Sequence, residues 1–261
     1  MKNFKLASLF LVAVGTCVFC GCSKDDVEEF EPQEQVNGAG KHSDSGQGGN
    51  SDDGQGDDAD ANHEWVDLGL PSGTLWATCN VGASKPEEYG DYFAWGETSG
   101  YNSGKTTFSW ATYRYWDNTY SAVTKYCTSS TYGEIDNKKE LEPEDDAATA
   151  NWGSGWQMPS QEQFAELINS SYTTTSWTAL NGVNGRMIIS KSNGKRLFLP
   201  AAGYRSGTSL SNAGSYGSYW SRSLFTDNSQ LGRELLFDSS GIYTNNGYRC
   251  SGRSVRPVRV D

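Results

Sequence analysis

Residues 159–170, PSQEQFAELINS, contain the clearest helical pattern in the chain. Ser160 is a typical N-cap residue, and Gln163 three positions later completes a capping box. Beyond the cap, apolar side chains recur at the spacing of one helix face, at Phe164, Leu167 and Ile168. The pattern predicts a short amphipathic helix that begins just after Ser160.

Short runs rich in β-branched and aromatic residues lie on both sides of this helix, separated by Gly, Asn and Ser turns. These predicted strands are WVDLGL (65–70), TLWATCNV (74–81), GDYFAWG (90–96), GRMIIS (185–190), KRLFLPAAGY (195–204), RELLFD (233–238) and SVRPVRV (254–260). One or two helices with short, mostly antiparallel strands and long loops predict a loop-rich α+β domain over residues 63–261. We expect its core to contain five tryptophans, Trp65, Trp76, Trp95, Trp152 and Trp156.

The acidity of the chain is concentrated in one segment. The formal net charge is −11, and residues 23–62 contain 12 Asp and Glu side chains against Lys24 and Lys41. This segment is rich in Gly, Ser and Gln and has few large apolar side chains, so it buries too little surface to offset its ordering entropy. Residues 22–62 are therefore predicted to be an acidic disordered tether that carries the 63–261 domain.

The remaining composition argues against two classes of function. Outside the tether the chain is close to neutral and has no clustered basic stretch, so we expect no nucleic-acid partner. The only two histidines are His42 and His63, which leaves the domain without a histidine triad or a histidine metal site. These observations predict a protein that is not an enzyme.

The start of the chain resembles a lipoprotein signal. MKNFKLASLFLVAVGTCVFCGC (1–22) has a basic start and an apolar run that is shorter than the about 20 residues of a membrane span. Gly21 followed by Cys22 is similar to the lipobox of bacterial lipoproteins. The resemblance implies a signal peptide over residues 1–21 and acyl chains on Cys22 that hold the protein to a membrane.

Three charged residues follow the lipobox. Lys24, Asp25 and Asp26 resemble the export signal that sends Bacteroidetes lipoproteins to the outer face of the outer membrane. The resemblance implies an outer-membrane lipoprotein exposed on the cell surface. The alternative is that these three residues are simply part of the soluble tether.

Four longer stretches carry a family resemblance. Residues 64–98, 141–167, 193–221 and 252–258, which begin EWVDLGL, LEPEDDA, NGKRLFL and GRSVRPV, are similar to successive parts of the Fibrobacter succinogenes major paralogous domain of Bacteroidetes lipoproteins. The resemblance implies a C-type-lectin-like fold. The resemblance supplies no catalytic residues. The stretch WQMPSQEQFAEL (156–167) also resembles the helix start of formylglycine-generating enzymes, which share that fold. Kinship of fold with an enzyme is analogy alone.

The domain has three cysteines, Cys79, Cys127 and Cys250. An odd number in an oxidising compartment permits one disulfide and leaves one free thiol, and the sequence leaves the pairing open. A second cysteine that usually follows the helix in the family is missing from SSYTTTSW (170–177).

The C-terminal part of the domain, residues 203–250, is dense in Tyr, Ser, Asn, Gly and Arg. Binding loops favour these residues, because Tyr and Arg provide contact area while Ser, Asn and Gly adapt and form hydrogen bonds. The predicted ligand-binding residues are Tyr204, Arg205, Tyr216, Arg222, Asp227, Asn228, Tyr243 and Asn246. The alternative is an ordinary loop-rich surface over aromatic core residues.

Four carboxylates occur within EPEDD (142–146), at Glu142, Glu144, Asp145 and Asp146. Oxygen ligands at this density are Ca²⁺ candidates, although a solvated acidic turn is the favoured interpretation. No other cofactor is predicted.

Together these patterns predict a cell-surface lipoprotein whose lectin-like domain binds a glycan or a cell-surface protein, in adhesion or recognition. Three alternatives remain: a variable receptor of a diversity-generating retroelement, an enzyme like the formylglycine generators, or a structural surface protein. A reverse-transcriptase gene with a near-copy repeat beside this gene would indicate the first, and turnover lost with Cys250 would indicate the second.

Overall fold

Five small antiparallel sheets make up the β-structure of the computed structural model, which describes residues 63–259. Its strands, in chain order, are β1 (Trp65–Asp67), β2 (Leu75–Ala77), β3 (Trp116–Asp117), β4 (Ala122–Val123), β5 (Thr173–Leu180), β6 (Val183–Ser190), β7 (Arg196–Pro200), β8 (Tyr204–Ser206), β9 (Ser209–Ser211), β10 (Gly217–Leu224), β11 (Leu231–Phe237), β12 (Ile242–Tyr248) and β13 (Val258–Arg259). Two helices, α1 (Ala147–Trp152) and α2 (Gln161–Leu167), and two short 3-10 helices, Trp110–Thr112 and Pro143–Asp145, complete the described elements. The predicted loop-rich α+β class agrees with this architecture.

The first and last strands pair with the same neighbour. Strand β2 is central, with β1 on one side and β13 on the other. Trp76 lies opposite Val66 in one pairing and opposite Val258 in the other. The described chain therefore enters and leaves the fold on the two sides of one shared strand.

Strands β5, β6 and β7 form a second sheet whose first hairpin is set by an Asn-Gly turn. Asn181 and Gly182 have φ values of 49° and 82°, and Leu180 pairs with Val183 directly across the turn. Asn-Gly is the pair that two-residue hairpin turns favour, because both central residues need positive φ. The Thr-rich strand β5 was not among the predicted strands, although the Asn-Gly signal was present in the sequence.

Helix α2 forms where the capping pattern predicts it. The Ser160 hydroxyl accepts from the Gln163 backbone N–H at 3.2 Å, and the Gln163 amide oxygen accepts from the Ser160 N–H at 2.8 Å. Phe164 and Leu167 are buried and pack in one cluster with Leu235 of β11. The helix thereby covers one face of the sheet β10–β11–β12, whose central strand is β11.

The core consists of two clusters. One surrounds Trp95, Trp156 and Trp220, and the other surrounds Trp76 and Phe164. Of the five tryptophans predicted for the core, four are buried: Trp76, Trp95, Trp152 and Trp156. The prediction for Trp65 was wrong, because this side chain is 47% exposed on the edge strand β1, where only one face meets the protein.

The predicted strand at residues 90–96 is not a regular strand. Its side chains are buried from Asp91 to Trp95, but its backbone forms only an isolated bridge, between Phe93 and Arg253. The Trp95 N–H donates instead to the Arg249 carbonyl at 2.9 Å. An apolar run that is buried on all sides looks the same in sequence whether or not it joins a sheet.

The three cysteines within residues 63–259 are free thiols. None of the helices in this part of the chain combines the length and apolar composition needed to cross a bilayer.

Candidate functional site

Four of the predicted functional residues, Cys22, Lys24, Asp25 and Asp26, lie outside the described residues. The others lie in the C-terminal half of the domain and in the acidic turn at 142–146. The structure brings some of them together and separates others.

Three predicted tyrosines form what we call the tyrosine face: Tyr204, Tyr216 and Tyr243. Tyr204 begins β8, Tyr216 directly precedes β10, and Tyr243 lies on the edge strand β12. The ring centroids of Tyr204 and Tyr216 are 6.3 Å apart in an edge-to-face arrangement. Tyr243 is 48% exposed, so the face presents aromatic surface to solvent.

Tyr216 keeps its phenolic proton over the physiological range. Burial raises the pKa of Tyr216 to about 12, and the nearby Glu234 and Tyr243 act in the same direction. The hydroxyl is therefore a neutral group that can both donate and accept a hydrogen bond. Such a group suits recognition of polar ligands.

A buried ion pair lies beneath the tyrosine face. Arg253 donates through Nε to the Glu234 carboxylate, which also accepts from the Ser218 hydroxyl at 2.7 Å. The guanidinium of Arg253 lies 4.1 Å from the centre of the Trp220 ring. Gly247 on β12 allows this approach, since a Cβ there would lie 2.0 Å from Arg253 Nη2. The pair fixes the strands that carry Tyr216 and Tyr243.

Arg205 follows Tyr204 on β8 and is held between aromatic rings. Its guanidinium carbon lies 3.2 Å from the centre of the Tyr101 ring and 5.1 Å from that of Tyr92. Its Nε is buried and has no hydrogen-bond partner within the described residues. The side chain is partly exposed and forms a stacked cation on the opposite side of β8 from Tyr204.

Arg222 has structural partners. It forms an ion pair with Glu140 at 2.5 Å and donates to the Met158 carbonyl at 3.2 Å. These contacts connect β10 to the segment that leads into α2.

Asp227 and Asn228 lie in the turn between β10 and β11. The Asn228 side chain accepts from the Gln230 N–H at 2.9 Å, which stabilises the turn. Asn246 lies opposite Arg233 in the β11–β12 pairing, and its amide oxygen is buried without a partner in the described structure. None of the side-chain hydrogen bonds or ring contacts in the described structure joins these three residues to the tyrosine face.

Three acidic residues of the 142–146 turn converge. Ligand oxygens of Glu142, Glu144 and Asp145 lie within 4.8 Å of one another. The Lys125 ammonium lies among them, 2.6 Å from Glu142 and 2.5 Å from Asp145. Although burial acts in the opposite direction, hydrogen bonds to these two carboxylates raise the pKa of Lys125. The group therefore already contains a permanent cation.

Asp146 does not belong to this acidic group. Its carboxylate caps α1, accepting from the N–H groups of Ala148 at 2.8 Å and Thr149 at 3.1 Å, and also from Met158 at 2.8 Å. Burial raises the pKa of Asp146. The helix cap explains this residue without a metal ion.

Sequence reasoning missed a second exposed aromatic group, which we call the aromatic patch: Trp110, Trp116 and Tyr248. The rings of Trp110 and Trp116 are 4.4 Å apart, and Tyr248 approaches Trp110 at 6.1 Å. Tyr248 is 56% exposed. The two tryptophans are close in sequence, but nothing local indicates that Tyr248 joins them from the end of β12.

Two of the three described thiols are held in their protonated form. Burial raises the pKa of Cys250 to about 11 and also raises the pKa of Cys79, so both thiols stay protonated at neutral pH. His63 stacks flat on Trp152, with ring centroids 3.6 Å apart.

Comparisons with protein-family models, with curated proteins and with solved structures find no match to this chain. The resemblance to the Fibrobacter succinogenes major paralogous domain therefore stays a prediction from the sequence.

Proposed function

We propose that this protein is an outer-membrane lipoprotein, acylated at Cys22, that uses the tyrosine face to bind a glycan or a protein on a neighbouring surface. The lipobox-like Gly21–Cys22 junction and the acidic segment after it support an anchored domain on a tether. The convergence of Tyr204, Tyr216 and Tyr243 above the Glu234–Arg253 ion pair is the observation that carries the binding role.

The fold proposed for the domain is C-type-lectin-like. Two short helices, small antiparallel sheets, and first and last strands that both pair with β2 support this assignment. In this fold the binding role rests on the C-terminal loops and strands, which contain the tyrosine face.

The chemistry of the tyrosine face suits either a glycan or a protein ligand. Tyrosines supply rigid aromatic area at a low entropic cost, and their neutral hydroxyls exchange hydrogen bonds with sugar hydroxyls or peptide groups. A preformed surface of this kind loses little entropy when a ligand binds.

The test is a glycan and host-protein array probed with the chain from residue 23 onward, with and without Ca²⁺. Tyr216→Ala and Tyr243→Ala should each weaken a detected interaction by about tenfold or more, as for a residue central to binding. Tyr120→Ala is the matched control, because Tyr120 is 80% exposed and lies on the loop between β3 and β4. An array without binding, or equal losses for all three variants, would contradict the proposal.

A further inference from the structure

A cavity of about 330 Å³ lies apart from the tyrosine face, beside the buried carboxylate of Asp91. Its wall includes Phe93 and Trp152 as aromatic residues and Asn102, Ser103 and Asn151 as neutral polar residues. The volume falls in the roughly 300–1,000 Å³ of small-molecule sites, and a few polar groups set among aromatic residues are typical of them.

Asp91 is only 4% exposed, and its two oxygens are used unequally. Oδ1 accepts from the backbone N–H groups of Tyr92 at 2.7 Å and Asn102 at 2.9 Å. Oδ2 accepts only from the Ser103 hydroxyl, at 3.4 Å, which is the long end of the hydrogen-bond range. A buried carboxylate oxygen with one weak donor retains capacity to accept a hydrogen bond from a ligand.

Two glycines hold the backbone close around this carboxylate. A Cβ at Gly100 would lie 2.4 Å from Asp91 Oδ2, and one at Gly82, where φ is 78°, would lie 3.0 Å from Asp91 Cβ. Because neither glycine has a side chain, the backbone can lie close to the Asp91 carboxylate without covering it. Asp91 therefore remains part of the cavity wall.

The wall residues favour a neutral polyol over an ion. Amide and hydroxyl side chains both donate and accept, as sugar hydroxyls do. Asp91 is the single carboxylate of the wall, whereas a divalent cation is held by several oxygen ligands. Trp152 is 5% exposed and His63 covers one face of its ring, so it contributes only an apolar edge to the wall.

We propose that this cavity binds one neutral sugar residue, with Asp91 Oδ2 accepting from a sugar hydroxyl and the polar side chains of the wall completing its hydrogen bonds. The site is separate from the tyrosine face and does not depend on the proposed function. Asn102 and Ser103 provide further hydrogen bonds at its mouth. Asn151 contributes only its side-chain oxygen as an acceptor, because its amide nitrogen donates to the carbonyls of Thr98 and Ala147.

The experiment is ligand-observed saturation-transfer NMR on the whole purified chain with glucose, galactose, mannose and N-acetylglucosamine, each at millimolar concentration. At least one sugar should show transfer to its ring protons, and Asp91→Asn should weaken its binding by about tenfold or more, since a charged acceptor is lost. Asn can still accept both backbone N–H groups, so this variant should keep the parent unfolding midpoint in urea.

Three further measurements make the test specific. Asn102→Ala should also weaken sugar binding, while Asp227→Asn, an exposed carboxylate on the β10–β11 turn, should not. Tyr120→Ala, on the loop between β3 and β4, should also leave the signal unchanged. No transfer from any of the four sugars, binding of putrescine in their place, or an equal loss in Asp227→Asn would overturn the proposal.

Discussion

The Lys125 ammonium lies 2.5 Å from the buried carboxylate of Asp145, and it also lies over the Tyr115 and Tyr126 rings, 5.8 and 4.9 Å from their centres. The same carboxylate accepts from the hydroxyl of Tyr115 and, at 2.6 Å, from that of Tyr126. One lysine thus neutralises a carboxylate at the centre of a polar network, in the place where an acidic cluster would otherwise attract a cation.

Replacing this lysine should destabilise the domain and open a cation site. In Lys125→Met, Asp145 keeps its burial but loses its 2.5 Å ion pair and retains only the longer one to the exposed Arg114, at 3.5 Å. We expect this loss to cost about 2–3 kcal/mol of unfolding free energy. Urea unfolding followed by tryptophan fluorescence measures the loss. Ca²⁺ should then raise the melting temperature of the variant more than that of the parent, because three carboxylates are left without their lysine.

The control for this experiment is Lys138→Met, which removes a 41% exposed lysine that contacts Glu142 alone. Its effect should stay below about 1 kcal/mol, as for other surface ion pairs. If Ca²⁺ stabilised the parent as strongly as Lys125→Met, the lysine would not be competing for this site.

Acidic pH should lower the unfolding free energy of the domain, because Asp145 then becomes protonated. Burial acts to raise the pKa of Asp145, but the hydrogen bonds from Lys125, Tyr115 and Tyr126 prevail and lower it below its ordinary value of 3.8. The folded state therefore gains stability from Asp145 that is fully present above this ordinary value and is lost as pH falls through the lower folded-state pKa.

Urea unfolding at a series of pH values from about 7 down to about 2 measures this dependence. The parent should lose stability at the acid end, and Asp145→Asn should show a shallower slope there. Asp227→Asn, an exposed residue, should reproduce the parent slope. Identical slopes for the parent and Asp145→Asn would reject the assignment.

The close packing of Gly247 beneath the tyrosine face predicts that an alanine at this position destabilises the domain. In Gly247→Ala the new Cβ would meet Arg253 Nη2 at 2.0 Å and Glu234 Oε1 at 2.8 Å, so the ion pair must shift. We expect a loss of about 1–3 kcal/mol of unfolding free energy, typical of overpacking. Thermal or urea unfolding of the purified variant measures it.

Gly241→Ala is the matched control, because nothing lies within 4 Å of a Cβ at that position. Gly241 directly precedes β12, the strand that contains Gly247, so both variants probe the same part of the sheet. A Gly247→Ala protein as stable as Gly241→Ala would mean that the ion pair accommodates the methyl group freely.

The proposed lipid anchor at Cys22 precedes the 63–261 domain and can be tested separately from it. Cys22→Ala should release the protein from the membrane fraction, because the acylated residue is lost. Cys17→Ala should remain membrane-bound, since Cys17 is removed with the signal peptide. Membrane fractionation with mass spectrometry of the mature N-terminus gives the answer, and an unmodified Cys22 in the bound parent protein would contradict the lipobox.

Local signals in the sequence predicted local structure well. Ser160 and Gln163 lie next to the helix they cap, so the capping box could be read directly and is present. The Asn181–Gly182 pair carried an equally local signal for the β5–β6 hairpin. Trp65 was misassigned because an apolar side chain on an edge strand has the same sequence pattern as a buried one.

The candidate sites depended on contacts that sequence spacing does not reveal. The acidic turn at 142–146 was visible, but the arrival of Lys125 among its carboxylates depends on the tertiary fold. Tyr248 meets Trp110, and Asp91 meets Ser103, for the same reason. The density of Tyr, Asn, Ser and Arg indicated residues 203–250 as the predicted binding region. The tertiary fold was needed to show that Arg222 and Asn228 lie apart from the tyrosine face.

The shared partnership of β1 and β13 with β2 has a consequence for how the gene can be rearranged. Both outer strands run antiparallel to β2 and hence parallel to each other, separated laterally by about 10 Å, or two strand spacings. The start of β1, opposite Ala77, and the end of β13, opposite Leu75, are also offset along β2 by two residues, or roughly 7 Å. In a version of the 63–259 domain separated from residues 1–62, a linker of several residues could join these two positions. The polypeptide could then be reopened at the Asn181–Gly182 turn, where new modules could be attached.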